Sequence, residues 1–254
     1  MAKTICVTNQ KGGVGKTTTS YALGLGLKKE GFRVLCVDLD PQGNLSFSFG
    51  AETEESDTVY EVIKGRCSAA NAIQHTELID VIPSNIVLSG VDIEFTQTGR
   101  EFLLKDALSE VQSQYDYIII DTPPSLNVLT VNAFVATDII IIPMVADIFS
   151  LQGITQLYDA VENIRKYYNP SIKIEGILLT RYNGRTVLSS EIKGTAEMIA
   201  KELNTVVFNT TIRASVSIQE AQASQNDLYD YAPKNSAVMD YLDFIKELLS
   251  RGDW

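Results

Sequence analysis

TICVTNQKGGVGKTTTSYALGLGL, residues 4–27, decides the fold. The β-branched, apolar run over 3–8 reads as a buried strand, and 16–29 reads as a helix. Between them lies Gln10-Lys11-Gly12-Gly13-Val14-Gly15-Lys16-Thr17-Thr18. Gly12, Gly13 and Gly15 let the chain wrap so that successive backbone N–H groups point at one anion. The helix that follows offers the positive end of its dipole to the same anion. Lys16 reaches β- and γ-phosphate oxygens as a point charge, and the Thr17 hydroxyl ligates Mg²⁺. The conventional pattern G-x-x-x-x-G-K-[ST] is not met strictly. Even so, three glycines, two lysines and two threonines in eight residues, in strand–loop–helix context, are more than a tight turn with a surface lysine requires.

Outward from this loop, short apolar runs alternate with amphipathic stretches, as in parallel strands joined by crossover helices. Strands are expected over 3–8, 33–38, 78–82, 116–121, 138–143, 173–179 and 205–208. Helices are expected over 16–29, 99–113, 126–135, 151–167, 187–202 and 236–250. YIII at 117–120 and IIII at 139–142 read as central strands, because a parallel sheet is buried on both faces. The expected class is α/β: a doubly wound, mostly parallel sheet flanked by helices, in one domain over 1–254. The segment 43–75, with Gly43, Gly50, Gly65 and the acids Glu52, Glu54, Glu55 and Asp57, reads as a solvated surface connection. Within it, Thr58–Ile63 starts a short helix capped by Asp57 or Thr58. His75, the one histidine, reads as a loop residue.

Two acidic motifs follow strands. Val34–Val37 runs into Asp38-Leu39-Asp40-Pro41-Gln42-Gly43-Asn44, and carboxylates at the carboxyl end of a parallel strand project into the ligand crevice. A lone D-x-D also serves as a helix cap, so its weight comes from the loop beside it. Tyr117-Ile118-Ile119-Ile120 runs into Asp121-Thr122-Pro123-Pro124-Ser125. There Asp121 is expected on Mg²⁺, directly or through water.

KGGVGKTT resembles the "deviant" Walker A motif of the ParA, MinD and nitrogenase iron-protein group, and Lys11 matches its signature lysine. The resemblance implies an ATP hydrolase in which Lys11 reaches across a nucleotide-sandwiched homodimer to the partner's phosphates, as an arginine finger does. Lys11 through Thr18 would then hold ATP, with Lys11, Lys16 and Asp40 catalytic. VDLDPQGN resembles the ParA-type switch motif, in which Asp40 orients the attacking water. Thr17, Asp121 and, behind them, Asp38 are the expected Mg²⁺ groups.

Local features separate the relatives. An iron protein needs cluster cysteines past the switch strands, where only Cys67 stands. A tyrosine-kinase domain would carry a C-terminal tyrosine cluster, whereas Tyr229, Tyr231 and Tyr241 are spread out. A MinD-like membrane switch should end in a basic amphipathic helix. Here the last helix is acidic, with an apolar face of Met239, Leu242, Ile245 and Leu249 that reads as core, so this reading stays second.

TVYEVIKG, VIPSN, LLTRYNGRT and the SIQEAQ…YDYAPKNSAVMDYL tail resemble the ParA/Soj partition ATPases over nearly the whole chain. No extension precedes the loop, so an N-terminal operator-binding domain is not expected. The Soj-like wording IPRNVRLSEAP stands here as Ile212-Arg213-Ala214-Ser215-Val216-Ser217-Ile218-Gln219-Glu220-Ala221-Gln222. In the family this loop borders the adenine, which places Arg213 and Ser215 beside the base, and its arginines serve non-specific DNA binding. Arg185, Lys193, Arg213 and Lys234 are the DNA candidates. The departures at Ala214 and Ser217 resemble plasmid and mobile-element relatives. The family also implies a ParB-like centromere-binding partner, no membrane, and a cytoplasmic protein that is nucleoid-associated when ATP-bound.

Composition sets bounds on these expectations. A net charge of −11 opposes wholesale attraction to nucleic acid or anionic lipid. A local basic patch survives it, because charges beyond about 10 Å are screened at moderate salt. Cys6 and Cys36 lie in strand-like runs and read as reduced, buried small hydrophobes, consistent with a cytoplasmic protein. The N-terminus does not read as a signal peptide, and no apolar run is long enough to span a bilayer.

Overall fold

A computed structural model describes residues 1–252. Its seven strands are β1 (Lys3–Val7), β2 (Val34–Asp38), β3 (Gln74–His75), β4 (Asp80–Ile82), β5 (Tyr117–Asp121), β6 (Ile139–Val145) and β7 (Lys173–Thr180). They form one sheet in the order β3-β4-β2-β5-β1-β6-β7, parallel except for β3 against β4. The apolar runs of β5 and β6 do lie inside the sheet. Val7 and Asp38 both register with Asp121, so three strand ends converge at one level.

Side chains alternate across the pleat, and both faces are buried. Leu35, Val37, Ile118, Ile120, Ile140 and Ile142 pack on one face, with Cys36, Ile119, Ile139 and Ile141 on the other. The second face is covered by α1 (Lys16–Lys29), α2 (Asn44–Ser48), α10 (Val216–Ala223), α11 (Leu228–Tyr231) and α12 (Ser236–Ser250). Against the first face lie α3 (Val59–Ile63), α4 (Ala69–Ala72), α5 (Val91–Glu94), α6 (Leu103–Ser109), α7 (Val128–Ala136), α8 (Ile148–Tyr167) and α9 (Val187–Glu202).

Several expectations are corrected. The segment 43–75 is not merely a solvated connection. Leu45, Phe49, Val59, Tyr60, Val62, Ile63, Ala69 and Ala72 are buried, and α2, α3, α4 and β3 form there. Turns too short to show a helical period hide this packing from a periodicity argument. Of the two caps for α3, the structure selects Thr58: its side chain accepts from Tyr60 N, while Glu61 accepts from Thr58 N at 3.0 Å, a capping box. His75 is an edge-strand residue whose Nδ1 lies 2.7 Å from Asp80 Oδ1.

The helix expected over 99–113 is a 3₁₀ turn, Arg100–Phe102, followed by the short α6. α6 ends at Ser109, and beyond it Gln112 O accepts from Ala2 N at 2.9 Å. The strand expected over 205–208 is one parallel bridge, Val207 to Ile177. Phe208 then turns inward onto Gly176, where a Cβ would meet the ring at 2.7 Å, and stacks edge-on against Phe244 at 4.9 Å. On α12, Met239 is exposed. The buried stripe is Val238, Tyr241, Phe244, Ile245 and Leu248, which commits this helix to the core. Among the described residues no helix is long and apolar enough to cross a membrane.

Candidate nucleotide-binding site

The loop between β1 and α1 is held from behind by its neighbours. Asn9 Nδ2 donates to Pro143 O at 2.8 Å, and Asn9 Oδ1 accepts from Lys11 N. Thr180, the last residue of β7, donates its hydroxyl to Val14 O at 2.7 Å. Gly13 and Gly15 have φ of +72° and +89°, conformations that a side chain strains. Gly15 is the N-cap of α1 and supplies no side-chain cap. Among the described residues, the N–H groups from Val14 to Thr18 meet no protein acceptor. A row of uncapped donors at a helix N-terminus is what an anion satisfies.

Acidic groups face this row from the neighbouring strand ends. Thr17 Oγ1 donates to Asp121 Oδ2 at 2.7 Å, and Ser20 Oγ donates to Asp121 Oδ1 at 2.8 Å. Asp121 is fully buried, and its carboxyl is pushed up to about 7, first by burial and then by Asp38. Asp38 is also fully buried and is raised to about 6 by burial, against the lowering bonds from Ser46 and Asp40. Lys16 is held below the usual lysine range by burial, while Asp121 and Asp40 pull it the other way. Two buried carboxyls facing one lysine are short of positive charge, so Mg²⁺ fits this donor set. Thr17 and Asp121 are the groups that could hold it directly.

Asp38 lies beside Asp121 and also shapes the segment that follows it. Its Oδ2 accepts from both Ser46 N (2.9 Å) and Ser46 Oγ (2.7 Å), and its Oδ1 accepts from Asp40 N (3.1 Å). Both oxygens are therefore occupied in shaping the segment that carries Asp40. Oδ1 accepts this one bond and Oδ2 two, and the field of the carboxylate reaches Asp121. Asp40 lines the crevice, and its Oδ1 accepts from Gln42 N at 3.0 Å.

The crevice encloses about 780 Å³, a size suited to a nucleotide. Gly12, Gly13, Gly15, Lys16, Thr17 and Thr18 form its phosphate end. Arg213, Ala214, Ser215, Val216 and Ile218 line the same crevice. Sequence reasoning missed Arg181, which lines the same crevice with a left-handed φ of 51°. It also missed Ser20, Ser46 and Thr180. Ser20 is one turn along α1 from the loop, and that spacing from Lys16 was its only local signal.

Lys11 is not in the crevice wall. Its Nζ lies 2.6 Å from Asp147 Oδ2 at the end of β6. The DNA candidates divide. Arg185 and Lys234 are exposed. Lys193 pairs with Glu197 at 3.9 Å. The guanidinium of Arg213 pairs with Asp240 at 2.6 and 2.8 Å and stays more than half exposed.

The comparisons with known proteins point the same way. The AAA domain pattern matches residues 2–174. The chain is 41% identical to the sporulation initiation inhibitor protein Soj of Bacillus subtilis, over 99% of this chain and 100% of that protein. It is 40% identical to the chromosome partitioning protein ParA of Caulobacter vibrioides, over 98% and 94%. Among solved structures it resembles a cobyrinic acid a,c-diamide synthase of Mycobacterium smegmatis with bound ADP and magnesium: TM-score 0.85, 32% identity, 99% of this chain and 95% of that one. Cyanothece McdA, solved as an ATP complex, superimposes with a TM-score of 0.87 at 26% identity, over 98% and 96%. Phosphate loop, paired strand-end carboxylates and full-length likeness together place this chain in the ParA/Soj family of P-loop ATPases.

Proposed function

We propose that the protein is a DNA-partition ATPase that binds Mg-ATP, closes as a homodimer on non-specific DNA, and is reset by hydrolysis. One observation carries the reading: the open row of N–H donors at the α1 N-terminus, with Lys16 and the Thr17–Asp121 pair beside it. Phosphoryl transfer needs placement and charge more than a strong base. Lys16 and the loop amides hold the β- and γ-phosphates, and Thr17 and Asp121 would hold Mg²⁺, which when bound would supply further positive charge to them. Asp40, fixed through Gln42 N and Asp38, orients the attacking water. Lys11 acts in trans, which requires its pair with Asp147 to open as the dimer closes. Arg185, Lys193 and Lys234 contribute to the DNA face, and a ParB-like protein stimulates hydrolysis. The protein works in the cytoplasm, on the nucleoid when ATP-bound. The core role of α12 weighs against a membrane switch.

The test is co-sedimentation with DNA, under ATP, ADP and no nucleotide, in parallel with anionic liposomes. ATP-dependent pelleting with DNA alone is expected. Pelleting with liposomes, or with neither, would overturn the reading.

A further inference from the structure

The nucleotide crevice and the Asp40 segment are joined by a hydrogen-bonded strut that the mechanism above does not use. The N-terminal half of α10 lines the crevice through Val216, Ile218 and Gln219. Its C-terminal half holds α2, the short helix that follows Asp40. Thr18 Oγ1 donates to Gln222 Oε1 at 3.3 Å, and Gln222 Nε2 donates to Ser48 Oγ at 3.2 Å. Ser48 spends its own proton on Asn44 O at 2.7 Å, so toward Gln222 it can only accept. That fixes the orientation of the Gln222 amide and gives the chain one direction: Thr18 to Gln222 to Ser48 to Asn44. A second glutamine reinforces it. Gln225 Nε2 donates to Phe47 O at 3.0 Å, from a residue held at φ 53°. Tyr21, on α1, packs its ring on Phe49 and donates its hydroxyl to Asn226 O.

We propose that Gln222, backed by Gln225, is a positioning residue that ties the phosphate loop and the crevice wall to α2 and so sets the placement of Asp40. The physical argument is one of rigidity and competition. An eight-residue helix spans about 12 Å, and α10 is anchored at both ends, so displacement of its crevice wall is carried to α2. Thr18 has a single hydroxyl proton. A phosphate oxygen is a stronger acceptor than a neutral amide 3.3 Å away, so nucleotide bound at Thr18 draws on the same bond that holds Gln222.

The inference rests on the ATPase reading for its kinetic arm only. The first arm is amide hydrogen exchange on the full-length, nucleotide-free protein. Gln222→Met keeps the length and removes the amide. Exchange over 44–50 should quicken about fivefold, the equivalent of one neutral hydrogen bond, with β1 and β5 unchanged. The second arm is a cycle with Ser48→Ala, read by steady-state ATP hydrolysis. Each single change should lower kcat about fivefold or more while KM for ATP stays within about twofold. In the Ser48→Ala background, Gln222→Met should then add nothing to the loss. Unchanged exchange over 44–50, exchange that rises throughout the sheet, or losses in kcat that simply multiply would each overturn the strut. A wild-type protein that binds ATP without hydrolysing it would overturn the ATPase reading instead, and the exchange arm would still judge the strut.

Discussion

Lys16 sits at the meeting point of opposing demands. Burial disfavours its charge, and Asp121 and Asp40 favour it. Lys16→Ala should weaken ATP binding about 100-fold or more, the loss of charge-assisted bonds to two phosphates; near-normal affinity by calorimetry would sink the loop assignment. A different task is proposed for Lys11. Held by Asp147 in the single chain, it is away from its own crevice wall. Lys11→Ala should therefore bind ATP as wild type does and lose stimulated hydrolysis. Asp40→Ala should bind ATP, hydrolyse it very slowly and accumulate as dimer. In a mixed dimer of the two variants, the site on the Lys11→Ala subunit keeps its own Asp40 and receives Lys11 from its partner. Activity should return in the mixture, and none in proven mixed dimers would count against action in trans.

At the scale of elements, the register of β2 against β5 puts Asp38 beside Asp121 without solvent. Both carboxyls titrate above the ordinary carboxylate value near 4. The sign follows from proton counting. Between about pH 4 and 7 the folded chain holds protons that the unfolded chain has released, so the contribution to stability is full below that window and lost as pH rises through it. The Tm of the nucleotide-free protein should fall between about pH 5 and 8, and Asp38→Asn should shrink that fall; an equal fall in both proteins would locate the titration elsewhere. The contact of α1 with α12 is as specific. A Cβ on Gly26 would overlap the Ile245 methyl and meet the Tyr229 hydroxyl at 2.8 Å. Gly26→Ala gains about 1 kcal/mol of helix propensity and costs about 1–3 kcal/mol in overpacking. A net loss of Tm is expected, partly relieved by Ile245→Val. A rise in Tm for the single variant would show that the helices can separate at no cost.

At the scale of the whole molecule, the proposed DNA binding has to coexist with a net charge of −11. A monomer with few unmatched cations neutralises few phosphates, and a dimer doubles that number on one surface. Binding should thus require ATP, and log K should fall linearly with log salt by about 0.9 per phosphate neutralised. Arg185→Glu, Lys193→Glu and Lys234→Glu should each weaken binding without reducing ATP-dependent dimerisation. Arg213→Glu should behave differently, since it faces Asp240 with a like charge and disturbs the crevice wall. No DNA shift by the ATP-bound Asp40→Ala dimer at low salt, or equal binding without ATP, would refute the prediction.

The amino-acid sequence by itself determined the phosphate loop, the strands that flank it and the doubly wound class. Those properties are local: glycine spacing decides where the backbone can turn, and β-branched runs buried on both faces need no partner to be read. It also carried the acidic strand ends, because a carboxylate after an apolar strand has few other places to go. What only the tertiary structure decided are pairings between distant residues. Lys11 meets Asp147 across 136 positions, Arg213 meets Asp240 across 27, and Gln222 meets Ser48 across 174. The same holds for Asp38, whose Oδ2 turns to Ser46, and for the buried 43–75 segment. No periodicity encodes such contacts. They depend on which side chains the closed sheet brings within about 3 Å of one another, and a hydrogen bond or ion pair is decided at that distance.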